Sequence, residues 1–225
     1  MVELSTGGAM ANGQGSTSTT NSRLPKSQRK RQLLAVARQV LARDGYYKTT
    51  MVDIAREAGV TKPVLYQHFA SKRDLYTAVL NDIGDRLRAA VLDAIDQSAP
   101  PRQQVSSGIA AYTTFVDTDR EGFQLLFCGN SRQDDEWSAI AGAVERSLAE
   151  AIADLIVVDG VSFEHRIALG HGIVAMAEGM MRYWLLDPES NLDREQLVQS
   201  LVSLMWGGLR NLHPGAAGPP TNDRE

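Results

Sequence analysis

Cysteine is nearly absent from this 225-residue chain. Cys128 stands alone, which excludes a disulfide framework and a cysteine-based metal cluster. Long hydrophobic runs are missing as well, and no stretch approaches the roughly 18–20 apolar residues that span a bilayer. The opening residues lack the basic-then-apolar order of a signal peptide and run instead from Gly7 to Ser22 in Gly, Ser, Thr and Asn. A reduced, cytoplasmic location is therefore expected. There are four histidines, and His165 and His171, six apart, fall on different faces of a helix. No HExxH, Gly-rich phosphate loop or nucleophile elbow occurs. Catalysis, a metal site and a bound cofactor are not expected. Strand-like alternation and internal repeats are also lacking.

What is present is a core and a polarised charge. Hydrophobic residues make up 43% of the chain, too many for a disordered protein. The net charge of −4 hides an asymmetry. Eleven Lys/Arg and three Asp/Glu lie between Arg23 and Lys72, a charge of +8, whereas 12 basic and 23 acidic residues follow from Arg73 onward, a charge of −11. A basic head on an acidic body suits a protein that grips a polyanion at one end. Charge alone is equally compatible with a solvated basic helix.

Apolar periodicity predicts an all-α protein of about nine helices. Residues 1–22 read as a disordered tail, 23–72 as a helix-turn-helix domain, 73–212 as a larger helical domain and 213–225 as a Gly/Pro-rich tail. The first helix runs from a cap at Ser27 to Asp44, with Leu33, Leu34, Ala37, Val40 and Leu41 inward. Gly45 ends it. Thr50 and Asp53 form a capping box for a second helix, Met51 to Ala58. Thr61 caps a third, Lys62 to about Phe69, with Pro63 in its first turn. Ser71 and Asp74 open a fourth, to about Gln97, with a stripe of Leu75, Val79, Ile83, Leu87 and Val91. Five more fit the remainder: 102–116, 120–127, 134–158, 162–186 and 193–211.

The second and third helices meet at Gly59, a residue that tolerates the positive φ of a sharp turn. Ala55 lets them approach, and Ile54, Val60, Leu65 and Phe69 bury the inner faces. Thr61, Lys62, Pro63, Tyr66, Gln67 and His68 then point outward, where a helix-turn-helix meets the major groove. Thr61 suits a phosphate, Lys62 a phosphate or guanine edge, and Pro63 a thymine methyl. Thr49 and Thr50 can anchor another phosphate, and Lys72 can clamp the backbone. Lys26, with Arg23, forms an arm along the DNA or is simply solvated. Tyr66 packs as core on the first helix or stays outside; His68 contacts phosphate or is an ordinary surface histidine.

The run Gly45–Ala55, then Ala58-Gly59-Val60-Thr61-Lys62, Leu65-Tyr66-Gln67-His68-Phe69 and Ser71-Lys72, resembles the N-terminal domain of the TetR family of transcriptional regulators. The match covers about residues 28–80. It implies a homodimer, two recognition helices in successive major grooves of a palindromic operator, and DNA contacts by Thr50, Thr61, Lys62, Tyr66, His68 and Lys72. Pro63 departs from the small residue usual there. Repression is the usual outcome in the family.

The body holds most large apolar residues. Phe115, Phe123, Leu126, Phe127, Met176, Met180 and Tyr183 are candidates to line an effector pocket between helices, or ordinary core. Gly122, Gly142, Gly170, Gly172 and Gly179 make room for a ligand or for close helix crossings. The last two helices resemble the family's dimerisation pair, which assigns Trp184, Leu201, Met205, Trp206 and Leu209 to the interface. Arg182-Tyr183-Trp184-Leu185, Trp206-Gly207-Gly208-Leu209, Gly122-Phe123 and Leu126-Phe127 are similar to actinobacterial fatty-acid-synthesis regulators that respond to long-chain acyl-CoA. That similarity implies an apolar effector, an acyl-CoA or fatty acid. A drug-like or other lipophilic effector stays open, as does a DNA-binding protein without a ligand.

Overall fold

The computed structural model describes residues 25–129, 133–156, 158, 160–187 and 193–210. The expected tails, 1–22 and 213–225, lie outside the described residues. Among the described residues there are nine helices and no strand: α1 (Lys26–Asp44), α2 (Met51–Glu57), α3 (Lys62–Tyr66), α4 (Lys72–Asp93), α5 (Pro101–Thr118), α6 (Arg120–Phe127), α7 (Asp135–Leu155), α8 (Phe163–Leu186) and α9 (Arg194–Arg210).

Local chemistry sets these boundaries. Pro25, not Ser27, precedes α1; its fixed φ suits a helix start and its carbonyl accepts the Arg29 N–H at 2.9 Å. Gly45, at φ 78°, ends the helix. The Thr50 hydroxyl accepts the Asp53 N–H at 3.2 Å while the Asp53 carboxylate accepts the Thr50 N–H at 3.1 Å, a complete capping box. Gly59 makes the α2–α3 turn at φ 63°. The third helix is shorter than expected because the His68 N–H turns to Leu65 O, three residues back, tightening the chain. The fourth stops at Asp93 rather than Gln97. Beyond it Asp96 accepts both the N–H and the hydroxyl of Ser98, at 2.9 and 2.7 Å, an Asx turn that competes with the helix.

The buried stripes follow the sequence. Leu33, Leu34, Ala37, Val40 and Leu41 of α1 and Leu75, Val79, Ile83, Leu87 and Val91 of α4 all lie in the core. Helices α1–α3 form a small head over Ile54, Leu65 and Phe69, and α5–α9 form the body. α4 packs on α1 and also on α5, α6 and α7. Head and body are joined a second time around Trp137 of α7. Its ring packs edge-on against Tyr46 at 4.8 Å and Tyr76 at 4.5 Å. Arg73 reaches from α4 to Asp134 and Glu136 beside it.

Two glycines permit close crossings. A Cβ on Gly84 would stand 2.6 Å from Val144 Cγ2, and one on Gly170 would stand 2.3 Å from the Ala149 carbonyl oxygen. The first obstacle is a movable side chain; the second is the backbone of α7. Gly170→Ala should therefore cost about 1–3 kcal/mol through overpacking. Gly142→Ala, whose Cβ would meet nothing within 4 Å, should gain up to about 1 kcal/mol of helix propensity. Urea denaturation of the two variants beside the parent checks the opposite signs.

Candidate nucleic-acid interface and effector cavity

The underside of α3 is anchored by Leu65, and its leading turn is open. The Thr61 carbonyl accepts the Val64 and Leu65 N–H groups at 3.0 and 3.3 Å, while the Thr61 hydroxyl makes no capping bond. Thr61, Lys62, Pro63 and Gln67 are exposed. Tyr66 is 42% exposed, so it is not core; the Lys62 ammonium lies 5.6 Å above its ring. His68 is half-buried. Burial holds its imidazole below the ordinary pKa, and the cationic Lys26, Lys30 and Arg29 lower it further. The basic start of α1 thus sits beside the far end of α3, and Lys26 is exposed there. Hydroxyl, ammonium, phenol and imidazole converge on one surface that can meet phosphates and base edges.

Three expected contacts are placed differently. Thr49 is 2% exposed, and its hydroxyl donates to Gly45 O at 2.8 Å, closing the α1–α2 loop internally. Thr50 lies at the surface, but its N–H and hydroxyl both donate to Asp53 Oδ2. Lys72 is half-buried; its ammonium donates to Tyr46 O and Thr49 O, both at 2.9 Å, and lies 4.3 Å over the Tyr46 ring. The Lys72 charge ties α4 to the loop that launches α2. In each case a neighbouring carbonyl or carboxylate claims the donor first.

The body contains an apolar cavity of about 390 Å³. Val91 and Ile95 close one side. Gln104, Val105, Gly108, Ile109 and Tyr112 of α5 face Leu148, Ile152 and Leu155 of α7, Ile173, Val174 and Ala177 of α8, and Trp206 and Leu209 of α9. Gln104 contributes little polarity, because its amide donates to Gln97 O and Ala99 O at 2.9 Å. The Tyr112 hydroxyl is buried without a hydrogen-bond partner, and burial pushes its pKa well above the ordinary value. An apolar void of about 150 Å³ accepts benzene, so this one holds a considerably larger guest.

None of the seven pocket residues expected from the sequence borders this cavity. Phe115, Phe123, Leu126 and Phe127 are core, with the rings of Phe123 and Phe127 tilted against each other at 5.0 Å. Met176 and Tyr183 fall off the inner face of α8, which is set by Val174, Ala177 and Met181, and Tyr183 is 58% exposed; Met180 is half-buried against the core. The residues expected at the dimer interface lie in different surroundings within the single chain. Leu201 and Met205 are buried within the chain, where α9 packs on α5, and Trp206 and Leu209 border the cavity. Trp184 is half-buried under the Arg120 guanidinium, 4.9 Å from its ring. Large apolar residues do not announce a void, because they fill space. Gly108 does not mark the void either, since a Cβ there would stand 3.3 Å from Ile95 Cδ1.

Fold and surface together define a helix-turn-helix DNA-binding protein with a helical C-terminal domain. The family model described as "Bacterial regulatory proteins, tetR family" matches residues 33–79, and that of the "Tetracyclin repressor-like, C-terminal domain" matches residues 86–221. The chain is 35% identical over 191 residues to the HTH-type transcriptional activator FasR of Mycolicibacterium smegmatis, spanning 84% of this chain and 87% of that one. A TetR-like transcriptional regulator from Rhodococcus sp. RHA1 superposes with a TM-score of 0.66 at 27% identity, covering 84% of this chain and 100% of the other. The fatty acid degradation regulator FadR from Bacillus halodurans shares the fold, with a TM-score of 0.69 at 17% identity over 83% of this chain and 99% of that one. The chain belongs to the TetR family: it is a DNA-binding transcriptional regulator.

Two measurements test the head. Lys72→Met removes two charge-assisted bonds and should lower stability by roughly 1.5–3 kcal/mol in chemical denaturation. His68 should titrate below the ordinary value of about 6.5 in an NMR pH series. Its folded pKa is depressed, so its share of stability is present above about pH 6.5 and is lost as pH falls through the folded value.

Proposed function

We propose that this regulator works as a homodimer that lays α3 of each subunit into successive major grooves of a palindromic operator, and that an apolar effector, in the first instance a long fatty acyl chain, binds in the body cavity and alters operator affinity. The cavity carries the effector half: it is lined almost wholly by aliphatic and aromatic side chains, and one of its walls, at Val91, belongs to α4, the helix that also packs on α1 of the head. The similarity of Arg182–Leu185 and Trp206–Leu209 to acyl-CoA-responsive regulators of fatty-acid synthesis agrees with such a guest. Thr61, Lys62, Pro63, Tyr66, Gln67 and His68 form the DNA-reading surface, and Lys26 adds a phosphate contact beside His68.

The dimer uses the outer faces of α8 and α9. Met176, Tyr183, Leu186 and Leu204 are exposed there, and Gly172, Gly179 and Gly208 leave open space. Exposed apolar side chains interleaved with small residues suit a close helical contact. The two α3 helices must then stand about 34–36 Å apart, one turn of DNA.

Selection from random duplexes should return a palindrome, and palmitoyl-CoA should raise the melting temperature saturably. Stabilisation by a lipophilic dye but not by palmitoyl-CoA or palmitate would point to a drug-type effector; no saturable stabilisation by any of them would exclude effector binding. Lys62→Ala should weaken operator binding by roughly 1–3 kcal/mol if the ammonium reads a base edge. An unchanged dissociation constant at matched salt removes Lys62 from the contact set.

A further inference from the structure

Asp119 is the single residue between α5 and α6, and it is 5% exposed. Its Oδ1 accepts the Gly122 N–H at 2.9 Å and caps α6. Gly122 has to lack a side chain, because a Cβ there would lie 2.6 Å from that oxygen. Its Oδ2 accepts from two guanidinium groups: Arg38 of α1, in the DNA-binding head, and Arg86 of α4 at 2.9 Å. Arg86 also lies 3.8 Å from Asp82 on its own helix and over the Phe115 ring. One buried carboxylate therefore ties together the head, the shared helix and the junction of two body helices. The node is not saturated, since the Arg38 Nε–H is buried without a partner.

The other end of α5 is the cavity wall. Gln104, Val105, Gly108, Ile109 and Tyr112 border the void, and the same rigid helix runs on to Thr118 and then Asp119. A guest that displaces α5 must displace the Asp119 carboxylate, which either drags Arg38 and α1 with it or releases them. We propose that Asp119 is the positioning residue that couples cavity occupancy to the orientation of the DNA-binding head, through Arg38 and Arg86. It rests on the effector-binding role proposed above, but its test does not need the natural effector.

The test is a double-mutant cycle on operator affinity, using the duplex recovered by selection. Val105→Phe places a ring in the cavity as a surrogate guest, and Asp119→Asn keeps an acceptor for the Gly122 N–H while discharging the node. Val105 and Asp119 are 14 residues apart on a helical path, about 20 Å, where independent substitutions add. We expect Val105→Phe, and separately palmitoyl-CoA, to change the operator dissociation constant at least tenfold in the parent and less than twofold with Asn at position 119. Palmitoyl-CoA should still raise the melting temperature of the Asn variant. Equal responses in both backgrounds overturn the node while leaving effector sensing intact. A parent that answers neither perturbation overturns both. Should Asp119→Asn fail to fold, Arg86→Gln and Arg38→Gln, at partly exposed positions, replace it in the cycle with the same expected loss and the same overturning result.

Discussion

One helix carries the core of the head into the core of the body. The buried face of α4 packs at its start on α1 and along its length on α5, α6 and α7. The buried residues of head and body form one continuous cluster through it, and α1 also packs on α6, so the head is not a bead on a flexible linker. Any rotation of the head moves α4, and any repacking of the body acts on α4 in turn. Packed interiors resist continuous deformation, which turns small shifts into discrete rearrangements. The rest of the molecule, from the position of α3 to the shape of the cavity, depends on that sharing.

Charge is organised around the same axis. Cations at the start of α1 lie beside His68 and the end of α3, where a polyanion would relieve their mutual repulsion. At the junction the cations are instead consumed. Arg38 and Arg86 converge on Asp119, Arg73 on Asp134 and Glu136, and Lys72 on two backbone carbonyls. Arg38 and Lys72 are among the eleven basic residues of the head, so that count overstates what is free for DNA. Some of those charges hold the head to the body rather than to an operator.

Burial also separates two kinds of apolar residue that look alike in the chain. The aromatic cluster of Tyr46, Tyr76 and Trp137 fills the second joint between head and body. The void is bordered chiefly by aliphatic side chains of α4, α5, α7, α8 and α9. Rings close the space at the joint, whereas side chains of similar bulk surround a void in the body.

The sequence by itself determined the helical class, the order of nine helices among the described residues, most of their ends, and the exposed face of α3. These follow from short-range physics: a 3.6-residue period, a capping box at Thr50–Asp53, positive φ at Gly45 and Gly59, and a proline in the first turn of α3. Tertiary structure alone decided where the cavity lies, which face of α9 turns inward, and which polar groups remain free. Leu201 and Leu204 are three residues apart on one helix, yet one is core and the other exposed, because only the packing partner fixes the rotation. Thr49 and Lys72 are spent on backbone carbonyls brought near by the fold, and Asp119 meets Arg38 across 81 positions of chain. A periodic pattern reports that a residue is apolar or charged; it carries no record of what stands opposite.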